Sequence, residues 1–230
     1  MSYVKRIVCL ANSHKTGGLC IAGREITGNG FGNWVRPVSK RSTAEVSFSE
    51  YRYADNTSPR LLDIIDIPLL SPQPKQHQTE NHVVDEMQRW LKVGELQWQQ
   101  LEQIRDQPST LWINSDQTKD GSRYNCISQT EAATQANSLL LIRPDNFVVK
   151  VGSRTWEGRT TRTYHGGFTY NGIHYILRST DPAVRNAFAG KGEGDYPMNE
   201  VYLCVSLTEP APQDGRCHKL VAAVIKNPPL

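Results

Sequence analysis

Two short apolar runs near the start of the chain constrain its fold more than any other feature. They lie at residues 7–10 and 19–23, and each has the length of a buried strand rather than of a helix. A polar, glycine-rich stretch at residues 12–18 separates them, and Gly28-Asn29-Gly30 follows the second run. This pattern predicts an antiparallel β meander over residues 5–39.

Short apolar runs rich in branched aliphatic residues recur along the rest of the chain. They fall at residues 61–69, 111–113, 139–142, 147–151, 173–177, 202–207 and 220–225. Asn171-Gly172 is typical of the two-residue turn of a hairpin. Many short strands with intervening turns are typical of small barrels or sandwiches.

One region has the apolar periodicity of helices instead. Val83, Val84, Met87, Trp90 and Leu91 share a helical face, and Leu96, Leu101 and Ile104 form a second apolar stripe after Gly94. We therefore predict a mainly β, α+β fold with a helical hairpin between two β units. The predicted boundaries are residues 1–75 for the first unit, 76–108 for the hairpin and 109–230 for the second unit.

The net charge of +3 is modest, but its distribution along the chain is uneven. Residues 1–60 hold nine Lys or Arg against four acids, for +5, and residues 61–120 hold five against ten, for −5. Residues 121–230 hold twelve against nine, for +3. Basic regions flanking an acidic one are typical of a protein that binds a polyanion. Charges that only solvate a surface give the same pattern.

The five cysteines contain no C-x-x-C pair, so nothing local supplies the ligands of a zinc site. We expect reduced, buried thiols and neither a metal nor a cofactor. No apolar run approaches the roughly 18 residues that span a bilayer, and no signal peptide is evident. We therefore expect a cytoplasmic protein without a membrane partner.

Motifs of nucleotide-binding loops, serine hydrolases and zinc peptidases are missing from the sequence. His77 and His82 are five residues apart, which does not match the spacing of two ligands on one helical face. No nucleophile, base and orienting group are evident together, so we expect a binding protein rather than an enzyme. We assign no catalytic residue, although His165 beside Gly166-Gly167 could reach a ligand as acid or base.

Several longer motifs match a known family. They are KRIVCLANSHK, GLCIAGREI, NWVRPVS, LLDIIDIPL, HQTENH, SLLLIRP, FTYNGIHYILRSTDP, YLCVSLTEP and CHKLVAAVI. In these motifs, over nearly its whole length, the chain resembles the bacterial proteins described as containing a dual OB domain. The resemblance implies two OB-like β-barrels that pack as one compact body. It also implies a nucleic-acid-associated role in bacterial defence or mobile-element settings.

An OB-like barrel holds a single strand in a groove of basic residues, with aromatic rings stacked on the bases. In the first unit the candidate binding residues are Ser13, Lys15, Arg24, Trp34 and Arg36. In the second unit they are Arg143, Arg162, Tyr164, His165, Tyr175 and Arg178. Structural alternatives exist for three of them: Trp34 as a core residue, and Arg36 and Arg143 as partners of carbonyls at strand ends.

The leading hypothesis is a module that binds nucleic acid or a nucleotide, with single strands favoured. The alternatives are a protein-interaction module that docks a protein partner through β edges or the hairpin, and an enzyme acting on nucleotides or nucleic acid through His165. The sequence does not separate RNA from DNA, or a small nucleotide from a polymer.

Overall fold

The structure is a computed structural model that describes residues 2–15 and 17–230, without the side chains of His14, Lys15 and Trp156. Of the described residues, 52% lie in strands and 10% in helices, which confirms the prediction of a mainly β chain. The chain divides into two compact units. The first comprises Met1–Arg105 and Ala136–Ser138, and the second comprises Asp106–Gln135 and Leu139–Leu230.

In the described part of the chain, the first unit is built on six strands. They are β1 (Tyr3–Lys15), β2 (Gly18–Thr27), β3 (Gly30–Val38), β4 (Asp63–Pro72), β5 (Asn81–Val84) and β6 (Leu91–Glu95), with helix α1 (Phe48–Tyr51) between β3 and β4. Their order is β1-β2-β3-β5-β4-β6, and β4 also pairs with β1. β3 and β5 are parallel and the other neighbours antiparallel. The first three strands confirm the predicted meander.

The core of the first unit is formed by side chains that alternate along these strands. It includes Ile7, Ile21, Val35, Ile65 and Ile67, all at most 1% exposed. Burying a side chain of this size contributes roughly 1.5–3 kcal/mol. At Gly23 the backbone of β2 lies so close to β1 that a Cβ atom would be 1.9 Å from the Val8 carbonyl oxygen. A larger residue there would push the two strands apart.

The predicted helical hairpin at residues 76–108 is wrong for most of its length. Strands β5 and β6 occupy much of it, and its helical part is a 3₁₀ turn (Trp98–Gln100) followed by α2 (Leu101–Ile104). Val83 pairs with Val38 of β3, and Val84 pairs with Leu69 of β4. Pairing on both sides buries these β-branched residues, and this tertiary gain outweighs the helix-like spacing.

The second unit is built on eight strands among the described residues. They are β7 (Cys126–Ser128), β8 (Leu139–Ile142), β9 (Asn146–Trp156), β10 (Arg159–Tyr170), β11 (Ile173–Ser179), β12 (Gly194–Met198), β13 (Val201–Pro210) and β14 (Arg216–Lys226); the helices are α3 (Gln129–Ala133) and α4 (Pro182–Phe188). The order is β12-β9-β10-β11-β14-β13-β8, with β7 on β14. β11 and β14 are parallel.

The hairpin of β10 and β11 turns at Asn171 and Gly172, whose φ angles are +49° and +75°. Both residues tolerate this left-handed region, so the hairpin predicted from the Asn-Gly pair is confirmed. Beyond the core, β9 and β10 continue as a two-stranded extension, residues 153–162, whose described side chains are all exposed. We call this extension the ribbon. None of the helices in residues 2–15 and 17–230 has the length and hydropathy of a membrane span.

Candidate nucleic-acid interface

A cross-strand row of basic residues lies on the outer face of β9, β10 and β11 in the second unit. Lys150 is opposite His165, and His165 is opposite Arg178. Residues that pair across antiparallel strands share one face, whereas the core residues Val149 and Val151 point to the other. Lys150, His165 and Arg178 therefore lie side by side on the face that points away from the core.

The same face continues along the ribbon. Arg154 is opposite Thr161, and Arg159 lies two residues beyond Thr161 on β10. Because faces alternate with a period of two, Arg154 and Arg159 share the face of Lys150, and Arg162 lies on the opposite side of the ribbon. Arg154, Arg159 and Arg162 are exposed. We call Lys150, Arg154, Arg159, His165 and Arg178 the cationic face.

Few acids oppose this face. Residues 143–178 contain six Lys or Arg and two Asp or Glu. Asp195 of β12 makes an ion pair with Lys150. Among the described residues, Arg159 and Arg178 have no acidic partner within ion-pair distance. The face therefore presents a surplus of positive charge to solvent, which attracts polyanions.

His165 is half-buried in this row. Burial lowers the pKa of His165, the nearby Arg178 and Lys150 lower it further, and Asp120 acts in the opposite direction. Asp120 is held by its own loop, since its carboxylate accepts hydrogen bonds from the Thr118 hydroxyl (2.5 Å) and the Ser122 amide (3.1 Å). The imidazole is therefore mostly neutral at neutral pH.

Two glycines beside His165 shape this surface. A Cβ atom at Gly166 would lie 2.8 Å from the Phe147 ring, on the core side. A Cβ atom at Gly167 would lie 3.1 Å from Cδ of Lys150, on the outer side. Gly166 thus lets β10 pack closely on the core, and Gly167 leaves room for the Lys150 side chain next to His165.

The remaining predicted residues of the second unit lie in different environments. Tyr164 is half-buried against the core, and Tyr175 is fully buried with its hydroxyl 2.8 Å from both Thr110 Oγ1 and Asn114 Nδ2. A ring with no exposed surface does not stack on a base, so Tyr175 is a core residue. Arg143 is exposed, with its guanidinium 5.8 Å from the centre of the Tyr202 ring.

The predicted binding residues of the first unit are largely internal. Trp34 is 4% exposed, and the Arg24 guanidinium lies 5.0 Å from its ring centre. Arg24 also donates a hydrogen bond to the Gly32 carbonyl at 3.2 Å. Ser13 is buried on β1, and the side chain of Lys15 lies outside the described residues. The stacking role predicted for Trp34 is therefore replaced by a packing role.

Arg36 is committed to a buried network. Its Nη2 lies 3.1 Å from Oε1 of Glu80 and donates to the Ser138 hydroxyl at 2.8 Å, and that hydroxyl donates to Glu80. The Arg36 side chain is 12% exposed, and that of Glu80 is 3% exposed. The charge of Arg36 is thus neutralised inside the first unit, where it holds β3 and the start of β5 together.

The binding residues predicted from the sequence do not include Lys150, Arg154 and Arg159, which complete the cationic face. The period of two along a strand could have suggested two of them, because it places residues 150, 152 and 154 on one face. The missing information was the register of β9 on β10, which brings Arg154 beside Thr161 and Lys150 beside His165.

The described residues contain no group of three or more His, Cys, Asp or Glu side chains that could hold a metal ion. All five cysteines are free thiols, four of them buried.

These features define a mainly β protein with two sheets, one of which presents a cationic outer face. The chain belongs to the family of dual OB-containing domains, whose family model matches residues 5–224. This match confirms the resemblance seen in the sequence motifs. Comparisons with curated proteins and with solved structures gave no match to the chain.

Proposed function

We propose that each unit is an OB-like barrel. In the first unit the pairings β1–β2, β2–β3, β3–β5, β5–β4 and β4–β1 form a continuous cycle, which supports a closed barrel. In the second unit β8 and β9 together take the place of the first strand, since β8 pairs with β13 and β9 pairs with β10. On this assignment β10 and β11 are the second and third strands, the surface on which OB-folds bind oligonucleotides.

We propose that the chain is a nucleic-acid-binding module and that it holds a single strand against the cationic face. The observation that carries this proposal is the alignment of Lys150, His165 and Arg178 across three strands, continued by Arg154 and Arg159 along the ribbon. Successive phosphates of an extended strand can follow such a line of basic side chains. OB domains commonly bind nucleic acids, which favours this ligand over other polyanions.

Fluorescence anisotropy with labelled oligothymidine and a duplex of equal length tests the proposal. We expect binding to the single strand that weakens steeply with salt, because phosphate contacts release counterions. Arg178→Glu should weaken binding by about tenfold or more, since it replaces a cation of the face by a negative charge. Lys191→Glu, a matched reversal at an exposed lysine outside the face, should have less than about a threefold effect.

Three results would overturn the proposal. The wild type would not bind oligothymidine at low salt, or its affinity would not depend on salt. Alternatively, Lys191→Glu would weaken binding as much as Arg178→Glu does. Tighter binding to the duplex would keep the cationic face but exclude the preference for single strands.

A second candidate function, docking of a protein partner, is favoured by one edge of the first unit. β6 is the last strand in its sheet order, and it exposes Leu91 (57%) and Val93 (40%). Met87, just before it, is 88% exposed. Exposed strand edges with apolar side chains accept an added strand from a partner. If this edge docks a protein, Leu91→Lys with Val93→Lys should abolish capture of that protein and leave oligothymidine binding intact.

We also propose a cytoplasmic setting for this binding. All five cysteines are free thiols, and four of them are buried. Free thiols persist in the reducing cytosol, whereas exported domains commonly join them into disulfides. Fractionation of cells that express the chain, with marker proteins for the cytosolic and the exported fractions, tests this expectation. The chain should appear in the cytosolic fraction.

A further inference from the structure

His165 lies between two permanent cations in the middle of the cationic face. Lys150 of β9 flanks it on one side, and Arg178 of β11 flanks it on the other. Both neighbours are directly opposite in register, so their side chains share its face. An imidazolium at this position would therefore be repelled from two sides.

The other groups that face His165 only partly compensate. Asp120, from the loop before β7, attracts a charged imidazole, and Asp195 of β12 is engaged with Lys150. On β10 itself, the residues on the same face two positions away are Thr163 and Gly167, which carry no charge. The free site thus favours a neutral His165.

We infer that binding of a phosphate backbone to the cationic face is coupled to protonation of His165, so that affinity for single strands rises as the pH falls. This inference rests on the proposed function, and it adds a proton-dependent control to the same site. It also gives the histidine a defined role, as a cation that forms when the ligand arrives.

The physical reason is a change in the field around the imidazole. Phosphates that contact Lys150 and Arg178 neutralise the two charges that repel a proton from His165, and they add negative charge of their own. The protonated ring then has two N–H donors for phosphate oxygens. By linkage, a ligand that favours the protonated histidine is bound more tightly by the protonated protein.

The test measures anisotropy with oligothymidine of roughly 15 nucleotides, at about pH 8, 7 and 6 and constant ionic strength, on a chain without a polyhistidine tag. Thymine takes up no proton in this range, so a change in affinity belongs to the protein. The variants are His165→Asn and His174→Asn. His174 is exposed on the same face of β11, opposite Thr169, and serves as a matched control.

We expect the wild type and His174→Asn to bind about three- to tenfold more tightly near pH 6 than near pH 8. The His165→Asn variant should show almost no change over this interval. In addition, the pKa of His165 measured by NMR should rise when oligothymidine is added.

Three outcomes would overturn the inference. Salt-dependent binding with no pH dependence in the wild type, or an equal pH dependence in His165→Asn, removes the coupling and leaves the proposed function standing. A pKa of His165 that does not change on binding likewise removes the coupling and leaves the proposed function standing. Failure to bind at every pH at low salt overturns the proposed function itself, and the inference with it.

Discussion

The two units share an order of strand pairing. In each, a three-stranded antiparallel meander (β1–β3 or β9–β11) is followed by a parallel neighbour, β5 or β14, and then by an antiparallel one, β4 or β13. In the first unit β4 returns to β1, and in the second β13 pairs with β8, the segment just before β9. The same pairing scheme thus carries an outer surface of different charge in each unit.

The units differ in how their basic residues are neutralised. In the first unit many cations pair with acids, most of them distant in sequence: Lys5 with Glu25, Arg6 with Asp66, Arg36 with Glu80, Lys40 with Glu86, Arg41 with Glu50 and Lys92 with Asp63. In the second unit Lys150 pairs with Asp195 and Arg216 pairs with Asp116, whereas Arg159 and Arg178 have no acidic partner among the described residues. Net charge along the sequence therefore does not locate the binding surface, because folding brings the acidic middle of the sequence onto its basic start.

The largest effect should come from Trp34→Ala in the first unit. Trp34 is 4% exposed, so its removal leaves a cavity and should lower the free energy of unfolding by roughly 3–5 kcal/mol. Urea denaturation measures the loss, and Trp34→Phe should lose less. If the variant has normal stability but binds oligothymidine poorly, Trp34 contacts the nucleic acid, and the first unit contributes to binding as well as the second.

The next effect should come from the cations that β9 and β10 contribute to the cationic face. Replacing Lys150, Arg154 and Arg159 by alanine should weaken oligothymidine binding by about 30-fold and reduce the salt slope by about 2, since each lost phosphate contact removes about 0.7. A matched triple alanine variant of the first unit, at Arg6, Lys40 and Arg60, should change affinity less than about threefold. Equal losses in the two triple variants would show that both units bind.

A buried lysine in the second unit makes the free energy of unfolding depend on pH. Lys219 of β14 is 1% exposed and donates to the Ile113 carbonyl at 2.7 Å and to Oδ1 of Asn114 at 2.9 Å. Burial lowers its pKa to about 7, whereas a lysine in the unfolded chain titrates near 10.4. Between these values the unfolded state binds more protons, so the free energy of unfolding rises with pH.

From about pH 7 to pH 9, the wild type should gain about 2 kcal/mol relative to Lys219→Met. Urea denaturation at several pH values measures this gain, with Lys226→Met, at the end of the same strand, as the control. If Lys219→Met has the same pH dependence as the wild type, the lysine is charged in the folded protein throughout the interval.

The smallest effect should come from Tyr175→Phe. Loss of the hydroxyl that contacts Thr110 and Asn114 should lower the free energy of unfolding by about 1 kcal/mol and leave oligothymidine affinity unchanged. Tyr164→Phe provides a half-buried tyrosine for comparison and should change stability by less. Weaker binding by a stably folded Tyr175→Phe would contradict the assignment of Tyr175 to the core.

The sequence by itself determined the elements that depend on local pattern and turn chemistry. The first meander, the Asn171-Gly172 hairpin and the closing strands β13 and β14 follow from apolar runs bounded by residues that tolerate tight turns. The sequence motifs likewise indicated the family, whose model matches residues 5–224.

Where the interacting partners are distant in sequence, tertiary structure decided which segments are strands and which charges are neutralised. Residues 81–84 are a strand because β3 and β4 flank them, although their own spacing fits a helix. Arg36 is neutralised because Glu80, 44 positions later, meets it across β3 and β5, whereas Arg178 is left open beside His165. Burial and charge pairing depend on which segments meet in space, and a local sequence pattern does not contain that information.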